Sequence, residues 1–226
     1  MSRMGATVFS SRGEWPLGDT VKPYHRHFLA CTGGRDWPAR IEEAEGLLGR
    51  MARDVREASD AERSGTKLTA TDETSEGGGL DLLVFPDALR YRGVDGAAWA
   101  MILETHVKDG RVAGAVRSVP LDGHHVFVCV HGNRDERCGC WGPPVVEALR
   151  TACAEEGVDV KVRATSHVGG HKYAGNVIVY PEGVWYGYVR PEDAGRLVRE
   201  HLADGRVVVD LLRGRMEAPP LGSSAP

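Results

Sequence analysis

Shifted on itself by 95 residues, the chain repeats. Residues 85–111 (FPDALRYRGVDGAAWAMILETHVKDGR) then lie over residues 180–206 (YPEGVWYGYVRPEDAGRLVREHLADGR). Seven of these 27 positions are identical, including Pro86/Pro181, Tyr91/Tyr186, His106/His201 and the Asp-Gly-Arg triplets that end both segments. Composition alone gives about two. Upstream, FLACTGGRD (28–36) parallels FVCVHGNRD (127–135) at a slightly larger offset. A repeat constrains a fold more than any local signal, because it fixes the unit that must bury its own core. We therefore expect two copies of one unit of about 100 residues each.

The second copy has the sharper pattern. HHVFVCV (124–130) is a β-rich run. Pro143 and Pro144 open a helix with Val145, Val146, Leu149 and Cys153 on one face, and Gly157 ends it. VDVKVRA (158–164) alternates with period two, as a half-buried strand does. NVIVY (176–180) and VWYGYV (184–189) form a hairpin across PEG. Pro191 starts a helix with Ala194, Leu197, Val198 and Leu202 inward, and VVVDLL (207–212) adds an edge strand. The first copy follows suit. Strands are expected at 28–31, 67–70, 80–85 and 89–94. A long helix follows Pro38, another spans 95–107, and a strand or linker spans 111–121. The order β-α-β, an irregular stretch, then β-β-α resembles the thioredoxin core with its middle helix replaced by a loop. The expected fold class is α/β, with two tandem thioredoxin-like domains at 1–120 and 121–215 and a disordered tail at 216–226.

Hydrophobic residues make up 42% and charged residues 27% of the 226, which excludes a disordered or fibrous chain. The net charge of -4 argues against nucleic-acid binding, which needs a basic face. The first residues carry no apolar signal segment, and no apolar run approaches a membrane span. We expect a cytoplasmic chain. Five cysteines (31, 129, 138, 140 and 153) are an odd number, so metal or redox use is considered before a disulfide scaffold.

Two stretches carry the unusual chemistry: CVHGNRDERCGC (129–140) and SHVGGHKYAGN (166–176). Each follows a strand and is read as a loop, and the β-α-β plan brings both to one end of the sheet. Together they offer Cys129, Cys138, His167 and His171, a donor set suited to zinc or to iron in a cluster. Eight residues between the cysteines exceed a zinc-finger knuckle and can wrap something larger than one ion. Gly169 and Gly170 permit close backbone approach, so their N–H groups can face bridging sulfides. His131 and Cys140 remain alternative ligands, and Cys153 reads as core. In the first copy Cys31 parallels Cys129, whereas Asp72 and Glu76 take the places of His167 and His171. That copy is expected to hold no metal.

These motifs resemble known families. The second copy is similar to the thioredoxin-like 2Fe-2S ferredoxins. More closely, Cys-x-His-Gly-x-Arg-Asp-x-Arg-Cys-Gly, followed by His-x-Gly-Gly-His-Lys-x-Ala-Gly-Asn-Val, resembles the sucrase/ferredoxin-like family, which includes members with bis-histidinyl, non-Rieske clusters. The resemblance implies a 2Fe-2S cluster held by Cys129 and Cys138 as cysteine ligands and His167 and His171 as histidine ligands. It gives Cys140 no role. No carboxylate pair is placed for glycoside hydrolysis, and there is no Cys-x-x-Cys.

The expected function is thus a 2Fe-2S electron carrier, with one-electron transfer coupled to protonation of the bound imidazoles, rather than an enzyme with its own substrate. Redox partner proteins are implied, and the two copies are expected to pack as a pseudo-dimer within a monomer. The alternatives are a Cys2His2 zinc-binding module and a thiol oxidoreductase using Cys138 and Cys140.

Overall fold

The computed structural model describes residues 13–62 and 65–217. β1 (Arg26–Cys31) is buried along its whole length because both of its faces are covered. Phe28 and Ala30 enter one core, and Leu29 and Cys31 enter another. α1 (Gly46–Glu62) returns the chain so that β2 (Thr66–Thr71) runs parallel to β1. β3 (Leu80–Phe85) pairs antiparallel with the other edge of β1 and with β4 (Leu89–Val94). Asp95 caps α2 (Gly96–Ile102) by accepting from the N–H groups of Ala97 and Ala98. The helix continues into a π-helical stretch, Leu103–Lys108. A short β5 (Ser118–Pro120) borders β4.

The second half repeats this order as β6 (His124–Cys129), α3 (Glu136–Glu155), β7 (Val160–Thr165), β8 (Val177–Tyr180), β9 (Val184–Tyr186) and α4 (Ala194–Leu197). α4 again continues as a π-helical stretch, Val198–Ala203, and β10 (Leu212–Arg215) pairs with β9. The parallel pairs share one register: Cys31 faces Thr71 as Cys129 faces Thr165. Side chains repeat as well. The Tyr91 hydroxyl lies 2.9 Å from His106 Nδ1, and the Tyr186 hydroxyl 2.8 Å from His201 Nδ1. Each tyrosine also accepts one backbone N–H, from Ala113 or Val208.

The class is mixed α/β, as expected. The strands of both halves join in one ten-stranded sheet of order β10-β9-β8-β6-β7-β2-β1-β3-β4-β5, with β2 and β7 antiparallel at the seam. That sheet is strongly curled. Phe85 on β3 and Tyr180 on β8 are five strand spacings apart, about 24 Å on a flat sheet. Their rings nevertheless stack 4.2 Å apart at 7°. The curl creates an inner core shared by both halves, in which Cys129 and Cys138 lie beside Phe127, Tyr180 and Trp185. Each half also has an outer core under its own helices.

Three boundaries differ from expectation. α1 begins at Gly46, after a 3-10 turn at Ile41–Glu43, rather than directly after Pro38. Residues 207–212 do not form a strand: Val209–Leu211 is a 3-10 turn and β10 starts at Leu212. α3 begins at Glu136 rather than at Pro143, because the Asp135 carboxylate accepts from Arg137 N–H and supplies the cap. Pro143 and Pro144 lie inside the helix, where they remove only the hydrogen bonds to Gly139 and Cys140. The expected tail lies outside the described residues from 218 onward. Among the described residues, no helix is long and apolar enough to cross a membrane.

Candidate metal centre

β6 and β7 are adjacent and parallel, so their C-terminal ends lie together. Cys129 ends β6 with its side chain toward the inner core. His167 follows the end of β7 by two residues. Cys138 comes from the first turn of α3, so it lies on a helix rather than on the expected loop. Gly142 allows the helix this close, since a Cβ there would lie 2.3 Å from the Cys129 carbonyl oxygen. The result is a buried set in which the donor atoms of Cys129, Cys138 and His167 all lie within 4.8 Å of one another. His171 stands at the rim. Its ring is 5.7 Å from that of His167 at 29°, and its side chain is 49% exposed.

Cys129 is held well below the usual thiol range by the hydrogen bond from Cys138, against burial, with further help from His167 and the Val168 and His131 backbones. Cys138, as donor to that thiolate, is pushed up by the same bond and by burial. His167 Nδ1 is buried and has no hydrogen-bond partner. A buried imidazole nitrogen left unmatched beside two buried sulfurs suits a metal bond, which would replace the missing hydrogen bond and neutralise the thiolate. The residues present therefore fit a metal group bound by thiolate and imidazole.

His131, weighed as a ligand, has both nitrogens engaged. Its Nδ1 accepts from His167 N–H at 3.0 Å, so the hydrogen sits on Nε2, which donates to the Trp37 carbonyl at 3.3 Å. Burial favours this neutral form. His131 therefore holds His167 in place. Cys140 is exposed whereas Cys138 is fully buried, as helical residues two apart point to different sides. Gly169 and Gly170 have φ of +97° and +73°. A Cβ on Gly170 would also lie 2.4 Å from Arg213 Nη2.

The sequence reading missed Asp135, Arg213 and Lys67. Asp135, held below the usual carboxylate range chiefly by Arg137, lies 3.8 Å from His171 Nδ1. Arg213 Nη1 donates to Asn176 Oδ1 at 2.6 Å, behind the histidine loop. Lys67 crosses from the first half to donate to the Val168 carbonyl at 3.1 Å. Asp135 lies inside the 129–140 motif, whereas no local sequence signal marks Arg213 or Lys67 as part of the site.

The matching place in the first half is filled differently. Counted from the equivalent residues Thr71 and Thr165, His167 corresponds to Glu73 and His171 to Gly77, one residue beyond the expected Asp72 and Glu76. Glu73 pairs with Arg90 and Arg163, and Arg90 also binds the buried Asp81 at 2.7 Å. Burial pushes the nearby Cys31 thiol up to about 12.

Lys67 carries a testable pH signature. Burial, then Arg213 and Lys22, push its ammonium down from 10.5 to about 8. Between these values the unfolded chain holds a proton that the native state has lost, so stability rises with pH. Measured by urea unfolding against Lys67→Met, native stability should gain up to about 1.4 kcal/mol per pH unit through this window. A flat difference would mean a fully hydrated ammonium.

The profile of the sucrase/ferredoxin-like family matches residues 17–214. The chain belongs to the sucrase/ferredoxin-like family. Curated relatives include Altered inheritance of mitochondria protein 32 from Clavispora lusitaniae, 40% identical over 44% of this chain and 37% of that protein. The protein of the same name from Kluyveromyces lactis is 25% identical over 88% of this chain and 77% of its own length. The chain spans little more than a third of the length of the Clavispora lusitaniae relative. A solved thioredoxin-like [2Fe-2S] ferredoxin from Aquifex aeolicus aligns at 27% identity over 42% of this chain and 99% of its own, with a TM-score of 0.38. The expected function is corrected here: the curated relatives of this family member are named Altered inheritance of mitochondria protein 32, not 2Fe-2S electron carriers.

Proposed function

We propose that this chain is an iron–sulfur protein that holds a 2Fe-2S cluster through Cys129, Cys138, His167 and His171, in the second of two tandem thioredoxin-like domains at 1–120 and 121–215. The observation that carries this reading is the His167 imidazole, which has a donor atom within 4.8 Å of two buried sulfurs and a buried Nδ1 without a hydrogen-bond partner. The ferredoxin-like family and the matched element orders of the halves support it. When bound, such a group supplies iron held between soft thiolates and imidazoles. The protein's own residues do the positioning. His131 fixes the His167 backbone, Asp135 caps the helix that presents Cys138, and Arg213 backs the loop that carries His171. The place of His171 at the exposed rim makes it the ligand open to exchange.

Protein produced with iron available should contain iron and acid-labile sulfide in equal amounts and should be coloured. Zinc without sulfide would replace this reading with a single-ion site.

A further inference from the structure

On the His171 side of the centre, the histidine loop forms one wall of a cavity of about 660 Å³. Lys22, Lys67, Lys172 and Arg213 line it, and no carboxylate does. These cations come from four separate stretches: the segment before β1, β2, the loop after β7, and β10. Arg213 is 2% exposed. The Lys67 ammonium lies 5.3 Å from the Tyr24 ring centre and 5.5 Å from that of Trp185. Among the described residues, neither Lys22 nor Lys67 forms an ion pair. A nearby carboxylate, Asp135, faces His171 but is held by Arg137 at 2.9 Å. Gathering four cations, one of them the buried Arg213, around one cavity is unfavourable unless an anion completes the arrangement.

The donors left over describe what fits. Lys67 uses one of its three ammonium hydrogens on the Val168 carbonyl. Arg213 spends four of its five N–H groups on Thr20 Oγ1, the Thr20 carbonyl, Asn176 Oδ1 and the Gly169 carbonyl, so it contributes charge more than free donors. Gly169 and Gly170, both in the left-handed region, donate their N–H groups to no acceptor among the described residues. Backbone N–H groups in such a turn form an anion-binding concavity. Point charges and backbone donors, with no free guanidinium fork, suit a compact anion, and the walls of Trp185 and Tyr173 leave room for an organic remainder.

We propose that this cavity is an anion-binding site for the phosphate or carboxylate group of a small molecule, which would lie against His171. The site does not depend on which metal group the neighbouring centre holds.

The test is calorimetric titration of the full chain at constant ionic strength, with inorganic phosphate in one arm and malonate in the other. The native protein should bind at least one saturably, and the tighter of the two identifies the ligand group. Lys67→Met and Lys22→Glu should each weaken binding at least about tenfold, the loss of one charge-assisted contact. Lys161→Glu, outside the cavity and paired with Asp159, should leave it unchanged. Circular dichroism checks the fold, and if Lys67→Met fails to fold, Lys22→Glu decides alone. The proposal is overturned if the native protein binds neither anion, if Lys161→Glu weakens binding equally, or if the folded cavity variants bind as the native protein does.

Discussion

Replacing Cys129 or Cys138 with serine should remove iron and sulfide from the purified protein almost completely, whereas Cys140→Ser and Cys153→Ser should leave both in place. The two site cysteines are not independent. The hydrogen bond from Cys138 is the first cause that lowers Cys129, so losing either sulfur also changes the basicity of the other. Burial of both means that water cannot easily take the vacated position. His167→Ala should be nearly as severe, because its backbone is anchored by His131 and its imidazole has a donor atom within 4.8 Å of both sulfurs. His171→Ala should be milder, with partial retention of iron, since its half-exposed position admits a water or a substitute ligand. Iron and sulfide analysis, with the visible spectrum, reads all of these variants. Full retention in Cys138→Ser together with loss in Cys140→Ser would show that the wrong cysteine of the pair has been assigned. Uniform retention in all four ligand variants would remove the centre altogether.

Much of this geometry was legible, and the failures have identifiable physical causes. Cys129 and His167 were legible together because one lies at the end of a β-rich run and the other just after a period-two strand, and parallel strands joined by a helix put those ends side by side. Cys138 was legible as a candidate but not as a helical residue. Two adjacent prolines are a strong helix-start signal, yet the Asp135 cap, upstream of Pro143 and Pro144, already starts the helix. The role of His131 was not legible, because it depends on Trp37, 94 positions away, as acceptor for its other nitrogen. Lys67 and Arg213 were missed for the same reason: their partners lie 101 and 37 positions away. The repeat predicted two similar halves, but not the curl that packs Phe85 of one against Tyr180 of the other. Curvature arises from the side chains that meet across a sheet, and an alternation pattern records only which face each residue takes.

That shared inner core leads to the second large effect: His27→Ala should destabilise the protein by about 4 kcal/mol, from an enlarged void and two stranded hydroxyls. His27 is fully buried and links the halves through a chain of hydrogen bonds. The chain has one direction. Thr165 Oγ1 donates to the Ala70 carbonyl at 2.9 Å, so it accepts from Thr69 Oγ1, also at 2.9 Å. Thr69 must then accept from His27 Nε2–H, which leaves Nδ1 bare to accept from the Tyr180 hydroxyl at 2.7 Å. Tyr180 in turn accepts from Tyr24 at 3.0 Å, and Tyr24 from Trp185 Nε1–H at 2.7 Å. Acceptance at Nδ1 requires a neutral His27, and burial, then Lys67, holds it well below its ordinary value of 6.5. A depressed folded value means that the stabilisation is present above the unfolded value and is lost as pH falls below 6.5. Other buried histidines contribute to acid loss in the same direction, His106 and His201 among them. The term specific to His27 is therefore the difference between native and His27→Ala stability, followed by urea unfolding at successive pH values. That difference should be largest above pH 6.5 and shrink with acidification. A pH-independent difference would mean that His27 keeps the same protonation state folded and unfolded, and the one-way chain would have to be redrawn from Thr165 outward.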